Sequence, residues 1–227
     1  MLKKNELRPI RSFVLRQGRL TKHQANAIKL LSKNWVIPFG SKLINWDKQF
    51  PNKDARKIIE IGFGMGATTA EIALKQQGVN FIGLEVHTPG VGNLLNLIQT
   101  NELTNLKIIH HDAVEVFDSM IATESLDAIH IFFPDPWHKK RHHKRRLIQD
   151  SFLRKIYPAL KRNGYLHIAT DWEDYASWII DTIHKFDGLE LQKDKFFTKP
   201  SYRPDTKYEK RGLGLGHDVW DILSIKR

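Results

Sequence analysis

Three glycines and a series of acidic residues in this sequence are spaced as a ligand site would need them. Glu60-Ile61-Gly62-Phe63-Gly64-Met65-Gly66 follows a short apolar run and opens a helical pattern. Glycine permits the tight turn and lets a ligand approach the backbone. Gly62, Gly64 and Ala67 also satisfy the dinucleotide pattern, so the turn alone does not select the ligand. Glu85 ends the next apolar run, and Asp112 and Asp135 lie just past the two after that. A carboxylate at the first of these places can accept hydrogen bonds from both hydroxyls of a ribose. One at the second could meet an adenine amino group. A single Asp there would serve equally well as a helix N-cap. Four acids at successive positions are better explained by one shared ligand.

The charge of those residues bears on which ligand. Clustered carboxylates would repel a pyrophosphate. S-adenosylmethionine carries a sulfonium and an ammonium and no phosphate, and an acidic pocket suits it.

Phe132-Phe133-Pro134-Asp135-Pro136-Trp137 is the most distinctive stretch. Two prolines stiffen the backbone around Asp135. A flat base can stack on Phe133 or Trp137 while Asp135 accepts hydrogen bonds from its edge. The plainer alternative is a rigid loop capping a sheet, with Trp137 in the core. His138-Lys139-Lys140-Arg141-His142-His143-Lys144-Arg145-Arg146 follows at once. His138 and His142 have the spacing of helical metal ligands, but the surrounding cations would repel a dication, and no metal is expected. A run of this kind is often only a solvated surface. Its place beside the acidic site favours contact with a phosphate backbone.

These residues need elements to hold them. Strands are expected over 57–61, 80–85, 106–110, 125–133 and 164–170, with helices over 67–77, 91–99, 114–121, 147–160 and 175–186. Such alternation implies an α/β fold, with a mostly parallel sheet and helices on both faces. Two further strands, 190–195 and 219–226, have no clear helix between them and predict a hairpin with an antiparallel edge. Upstream, Thr21 and Gln24 resemble a capping box that opens a helix through about Leu31. Arg8, Arg11, Arg16, Arg19 and Lys22 recur there without a strand pattern. The expectation is one domain over 1–227, with a basic extension over about 1–52 laid against a core that begins near Arg56.

Composition narrows the class. The 227 residues include 36 Lys and Arg against 25 Asp and Glu, a formal charge of +11, which suits a polyanion partner as well as a soluble surface. No cysteine is present, which excludes disulfides, zinc–thiolate sites, iron–sulfur clusters and a thiol nucleophile. No run approaches the roughly 18 apolar residues of a membrane span, and the N-terminus is not a signal peptide. A cytoplasmic location is expected. No interface patch is diagnostic, so monomer and homodimer both stay open, and no protein partner is implied.

With these stretches in view, the sequence resembles the bacterial tRNA (guanine-46-N7)-methyltransferases. The likeness runs almost end to end, through residues 8–21, 60–66, 83–87, 132–139, 169–172 and 206–209. The Pro-Asp-Pro-Trp and Thr-Lys-Tyr-Glu stretches are its most specific parts. The resemblance implies a Rossmann-like class I methyltransferase with a seven-stranded sheet, using S-adenosylmethionine on a guanine in the tRNA variable loop. By position, Glu60, Gly62, Gly64, Gly66, Glu85, Asp112 and Asp135 would line the donor site, with Asp135 catalytic. Lys139, Asp171, Thr206, Lys207, Tyr208 and Glu209 would meet the substrate nucleotide. Arg141, His142, His143, Lys144, Arg145 and Arg146 would touch RNA.

Guanine N7 already has an in-plane lone pair, so no base is needed and positioning does much of the work. As positive charge moves onto the purine, a carboxylate at the N1–H and N2–H edge would favour the transition state. Either Asp135 or Asp171 could serve. Three other readings compete: a nicotinamide oxidoreductase, an RNA-binding module without activity, and a methyltransferase of small molecules or proteins.

Overall fold

The computed structural model describes residues 12–13, 18–192, 199–206, 209, 214 and 218–227. Seven strands form one sheet: β1 Arg56–Ile61, β2 Val79–Leu84, β3 Leu106–Ile109, β4 Leu126–Phe132, β5 Leu160–Thr170, β6 Leu189–Leu191 and β7 Trp220–Lys226. Their spatial order is β3-β2-β1-β4-β5-β7-β6. The first five run parallel, because each is followed by a helix that returns the chain to the same end. The helices with described bounds are α1 Lys22–Trp35, α2 Trp46–Gln49, α3 Ala67–Lys75, α4 Thr88–Thr100, α5 Ala113–Ser119, α6 Asp150–Ile156 and α7 Glu173–His184.

Strand periodicity sorts the core into two layers. Ile59, Ile61, Ile129, Ile131, Leu166 and Ile168 face one side and pack with α5, α6 and α7. Ile58, Phe81, Ile108, Ala128 and Phe132 face the other and pack with α1, α3 and α4. Alternate residues point to opposite faces, so a sheet covered on both sides reads as nearly continuous apolar runs. Among the described residues, no helix is long and apolar enough to cross a membrane.

The edge differs in detail from a simple hairpin. β7 enters between β5 and β6 and pairs antiparallel with both. The expected strand over 190–195 is observed as Leu189–Leu191, and 193–195 lie outside the described residues. The helix expected over 147–160 is only Asp150–Ile156, followed by a 3-10 turn over Tyr157–Ala159. Pro158 cannot continue the helical hydrogen bonding. β5 then begins early, at Leu160, and its register with β4 shifts between Leu126 and Ala128. Asn163 in that stretch has φ 64°.

One part of the sheet face over β4, β5 and β7 is covered by Tyr202 and Arg203. Tyr202 stacks on His130 with ring centroids 5.4 Å apart. Its hydroxyl lies 2.7 Å from His167 Nδ1, and His167 Nε2 lies 2.8 Å from Asp221. Arg203 donates to both Asp221 oxygens, each at 2.6 Å, and to both oxygens of Glu209. A buried charge is tolerable only with such full pairing.

Candidate active site

The carboxyl ends of the parallel strands gather the chemistry onto one rim. After β1, Gly62, Gly64 and Gly66 have φ of 78°, 58° and 75°. These values favour glycine, which has no Cβ to clash. A side chain built at Gly62 or Gly64 would enter open space, whereas one at Gly66 would lie 2.8 Å from Leu94. Two glycines therefore leave room for a ligand, and the third lets α3 pack on α4.

Glu85 ties the turn to β2. Its Oε2 accepts from the Gly64 amide at 2.7 Å, and its Oε1 accepts from Val86 and His87 at 2.7 and 2.9 Å. Three amide donors fix the carboxylate in place at the rim. Glu60, near the end of β1, is only 4% exposed. Burial raises its pKa to about 7, with the Thr69 hydroxyl opposing and the charge of Glu85 adding to the rise. Asp112 is the N-cap of α5, its Oδ1 accepting from Val114 at 3.0 Å. The capping role considered for this residue is thus real.

β4 ends at Phe132, one residue earlier than its apolar pattern suggests. Phe133 and Trp137 both have positive φ, 53° and 50°, which is uncommon outside glycine. The Phe133 amide still bonds Ala169 of β5, at 2.8 Å. Strained backbone on both sides of Asp135, between two prolines, is of the kind that concentrates at functional sites. Asp135 is exposed, and its charge reaches Tyr175 of α7, whose pKa it helps to raise. Asp171 is half-buried just past β5, which runs beside β4. Trp172 meets His138 edge-on, with centroids 4.1 Å apart. The tips of the two strands and the start of the basic segment therefore form one surface.

The basic segment is a 3-10 turn over Lys140–Arg145. Lys139, Lys140, Arg141 and Lys144 are exposed, and His142, His143 and Arg145 are half-buried. Burial, then the charges of Arg141, Arg145, Lys139 and Lys144, lower the pKa of His142. The guanidinium of Arg145 lies 5.0 Å from the ring of Trp137, whose Nε1 donates to the Ser12 carbonyl.

An open cleft of about 420 Å³ lies elsewhere, between Gln149–Asp150 and Trp178, Asp181, Thr182 and Lys185. It contains none of the strand-end acids. The rim is the stronger candidate because the perturbed carboxyl of Glu60, open glycines and strained backbone converge there.

A family described as "Putative methyltransferase" matches residues 54–222. A tRNA (guanine-N(7)-)-methyltransferase of Methylobacillus flagellatus is 54% identical over 95% of this chain and 91% of its own. One from Burkholderia mallei is 53% identical over 97% of this chain and 83% of its own. The chain belongs to the tRNA (guanine-N(7)-)-methyltransferase family. Among solved structures, the 16S rRNA methyltransferase KamB aligns with a TM-score of 0.56, covering 81% of this chain and 92% of its own, at 13% identity. That likeness shows the Rossmann-like methyltransferase fold.

For a member of this methyltransferase family, the rim fits S-adenosylmethionine. The open faces of Gly62 and Gly64 leave space beside the backbone, and Glu60 and Glu85 supply negative charge for a cationic ligand. The first five strands place Glu60, Glu85, Asp112 and Asp135 at one end of the sheet, as their spacing suggests, and Asp171 stands there too, just past β5.

Two expectations need correction. Arg146 does not offer the exposed guanidinium expected of an RNA contact: its side chain is only 1% exposed. Its Nε donates to the Pro136 carbonyl at 2.9 Å, its Nη2 binds Asp174, and its plane lies against Tyr175 and Trp178. Thr206 and Glu209 do not stand free for a base. Thr206 Oγ1 accepts from the Glu209 amide at 2.9 Å, Glu209 Oε2 accepts from the Thr206 amide at 3.3 Å, and both residues are buried. The pattern is that of a capping box, pinned by Arg203. Lys207 and Tyr208 lie outside the described residues.

Sequence reasoning missed several positioning residues. Gly90 lies against the carbonyl of Gly64, and Asn93 donates to the Met65 carbonyl at 2.6 Å. Gly90 and Asn93 fall within α4, and the Pro-Gly pair at its start was the available signal.

Proposed function

We propose that this protein methylates N7 of a guanine in the variable loop of tRNA, at position 46, with S-adenosylmethionine as donor. One juxtaposition supports the reading best: the strained, proline-flanked Asp135 stands at the rim between an acidic donor site and a cationic surface.

The donor supplies a methyl group on a sulfonium. Glu60 and Glu85, with the turn at Gly62, Gly64 and Gly66, hold that cation, and Asp112 and Asp135 complete the lining. Phe133 and Trp137 offer faces on which a purine stacks. Asp135 and Asp171 take the N1–H and N2–H edge, where their charge tightens as positive charge grows on the ring. Lys139 lies next to this edge. Thr206, Lys207, Tyr208 and Glu209 border the guanine site, with Arg203 holding Glu209. Lys140, Arg141, His142, His143, Lys144 and Arg145 face phosphates. The setting is the one in which tRNA is processed, the cytoplasm.

The test is methyl transfer to bulk tRNA followed by mapping of the modified base. Guanine N7 in the variable loop is the expected product. Asp135→Asn and Asp171→Asn should each lower the rate by about a hundredfold, the usual size of a lost electrostatic contact to a transition state. Parental rates in both variants would remove the electrostatic role.

A further inference from the structure

The formal charge of the chain is not spread along it. Residues 1–50 hold eleven of the 36 Lys and Arg but only two of the 25 Asp and Glu, so this segment carries +9 of the total +11. Within it, α1 presents a single basic face. Lys22, Lys29 and Lys33 fall within an arc of about 40° around the helix axis at 3.6 residues per turn. The buried side of the helix, Gln24 and Ala27 with the half-buried Leu31, points the other way. All three lysines are exposed, and none of them pairs with an acid among the described residues. They span about 16 Å at 1.5 Å per residue.

A helix kept soluble by charge would mix signs and favour acids in its first turn, where the helix dipole prefers them. The first turn of α1 has no acid and instead has Lys22 and His23. The face is also rigidly held. The Thr21–Gln24 capping box fixes its start, and Gly92 of α4 sits so close that a methyl there would lie 2.8 Å from Gln24. Its position is informative as well. Gly18, just before α1, lies against His87 and Pro89, at contacts of 3.8 and 3.9 Å for a built Cβ. The basic face therefore starts at the β2 side of the rim, beside Glu85, while the segment of Lys139 to Arg145 stands on the β4 side.

We propose that the Lys22–Lys29–Lys33 face of α1, with Arg19 at its head, is a second binding surface for the phosphate backbone of the tRNA substrate. The tRNA then bridges the rim, gripped on both sides of the donor site. This rests on the tRNA reading given above.

The experiment measures tRNA affinity and methyl-transfer kinetics over a range of salt for the parent and for Lys22→Gln/Lys29→Gln/Lys33→Gln. Three lost phosphate contacts should flatten the slope of log affinity against log salt by about two to three. KM for tRNA should rise roughly tenfold with kcat and S-adenosylmethionine affinity unchanged, and arginine at the three positions should restore the parental slope. The proposal is overturned if the glutamine variant, binding S-adenosylmethionine like the parent, keeps the parental slope and KM. If that variant loses S-adenosylmethionine binding, Lys33→Gln alone replaces it and should lower the slope by about 0.9, a parental slope again overturning the proposal. A parent that leaves tRNA unmethylated would instead sink the functional reading itself.

Discussion

Gly90 lies so close to the carbonyl of Gly64 that a Cβ on Gly90 would come within 2.0 Å of that oxygen. The first turn of α4 thus braces the glycine turn from behind, while Glu85 holds its Gly64 amide from the front. Gly90→Ala has no flexible side chain to push aside and must move backbone. Overpacking of this kind costs about 1–3 kcal/mol. We expect S-adenosylmethionine affinity, measured by calorimetry, to fall at least tenfold. Unchanged affinity would show that the turn does not need this brace.

Glu60 should make donor binding depend on pH. The folded protein keeps the Glu60 proton up to about pH 7, whereas an ordinary glutamate releases it near 4.5. Because its folded pKa is raised, its contribution to stability is fully present below about 4.5 and is lost as pH rises through about 7. The total is roughly 3 kcal/mol at about 1.4 per pKa unit. A cationic ligand favours the ionised form, so S-adenosylmethionine should bind more tightly as pH rises through 7 and release a proton below it. Calorimetry in buffers of different ionisation enthalpy reads that proton. Glu60→Gln should abolish both the proton release and the pH dependence.

Neighbouring residues of the basic segment should behave oppositely. Arg146→Ala removes a guanidinium that bonds Pro136 and Asp174 and packs on Tyr175 and Trp178. A loss of about 3 kcal/mol is expected in thermal unfolding. Arg145→Ala should leave the melting temperature nearly unchanged and flatten the salt dependence of tRNA binding by about 0.9. Equal melting temperatures in the two variants would contradict this division.

His142 should link tRNA binding to acidity. Burial and the surrounding cations lower its pKa, so it is mostly neutral at pH 7. A phosphate placed beside it favours the imidazolium. Affinity for tRNA should therefore increase as pH falls through the range below 6.5, and His142→Gln should flatten that rise. A parental pH profile in the variant would place the phosphates elsewhere.

Asp221→Asn should disturb the rim from a distance. Arg203 is buried between Asp221 and Glu209, and Glu209 exchanges hydrogen bonds with Thr206. Breaking a buried ion pair costs about 3–5 kcal/mol. Reduced stability with a raised KM for tRNA is expected, against normal S-adenosylmethionine affinity. A variant as stable as the parent would mean that this network does not hold Arg203 and Glu209 in place.

Much of this protein is written locally in its sequence. The Thr21–Gln24 capping box, the glycine turn after β1 and the acids at the strand ends are visible because turns, caps and strand periodicity depend on residues a few positions apart. They determined the alternating fold, the parallel sheet and the rim to which we assign the donor. Other features depend on residues far apart in the chain. Nothing in the basic segment distinguishes Arg146 from Arg145, because burial is decided by Asp174, Tyr175 and Trp178 on another helix. The joining of His130, His167, Tyr202, Arg203 and Asp221 required β7 to enter between β5 and β6, a pairing that no local pattern encodes. The close approach of Gly90 to Gly64 likewise exists only once α4 docks. The sequence alone determined which chemical groups face the rim, and tertiary packing decided which of them remain available to a ligand, because a charge is spent once another part of the chain has paired it.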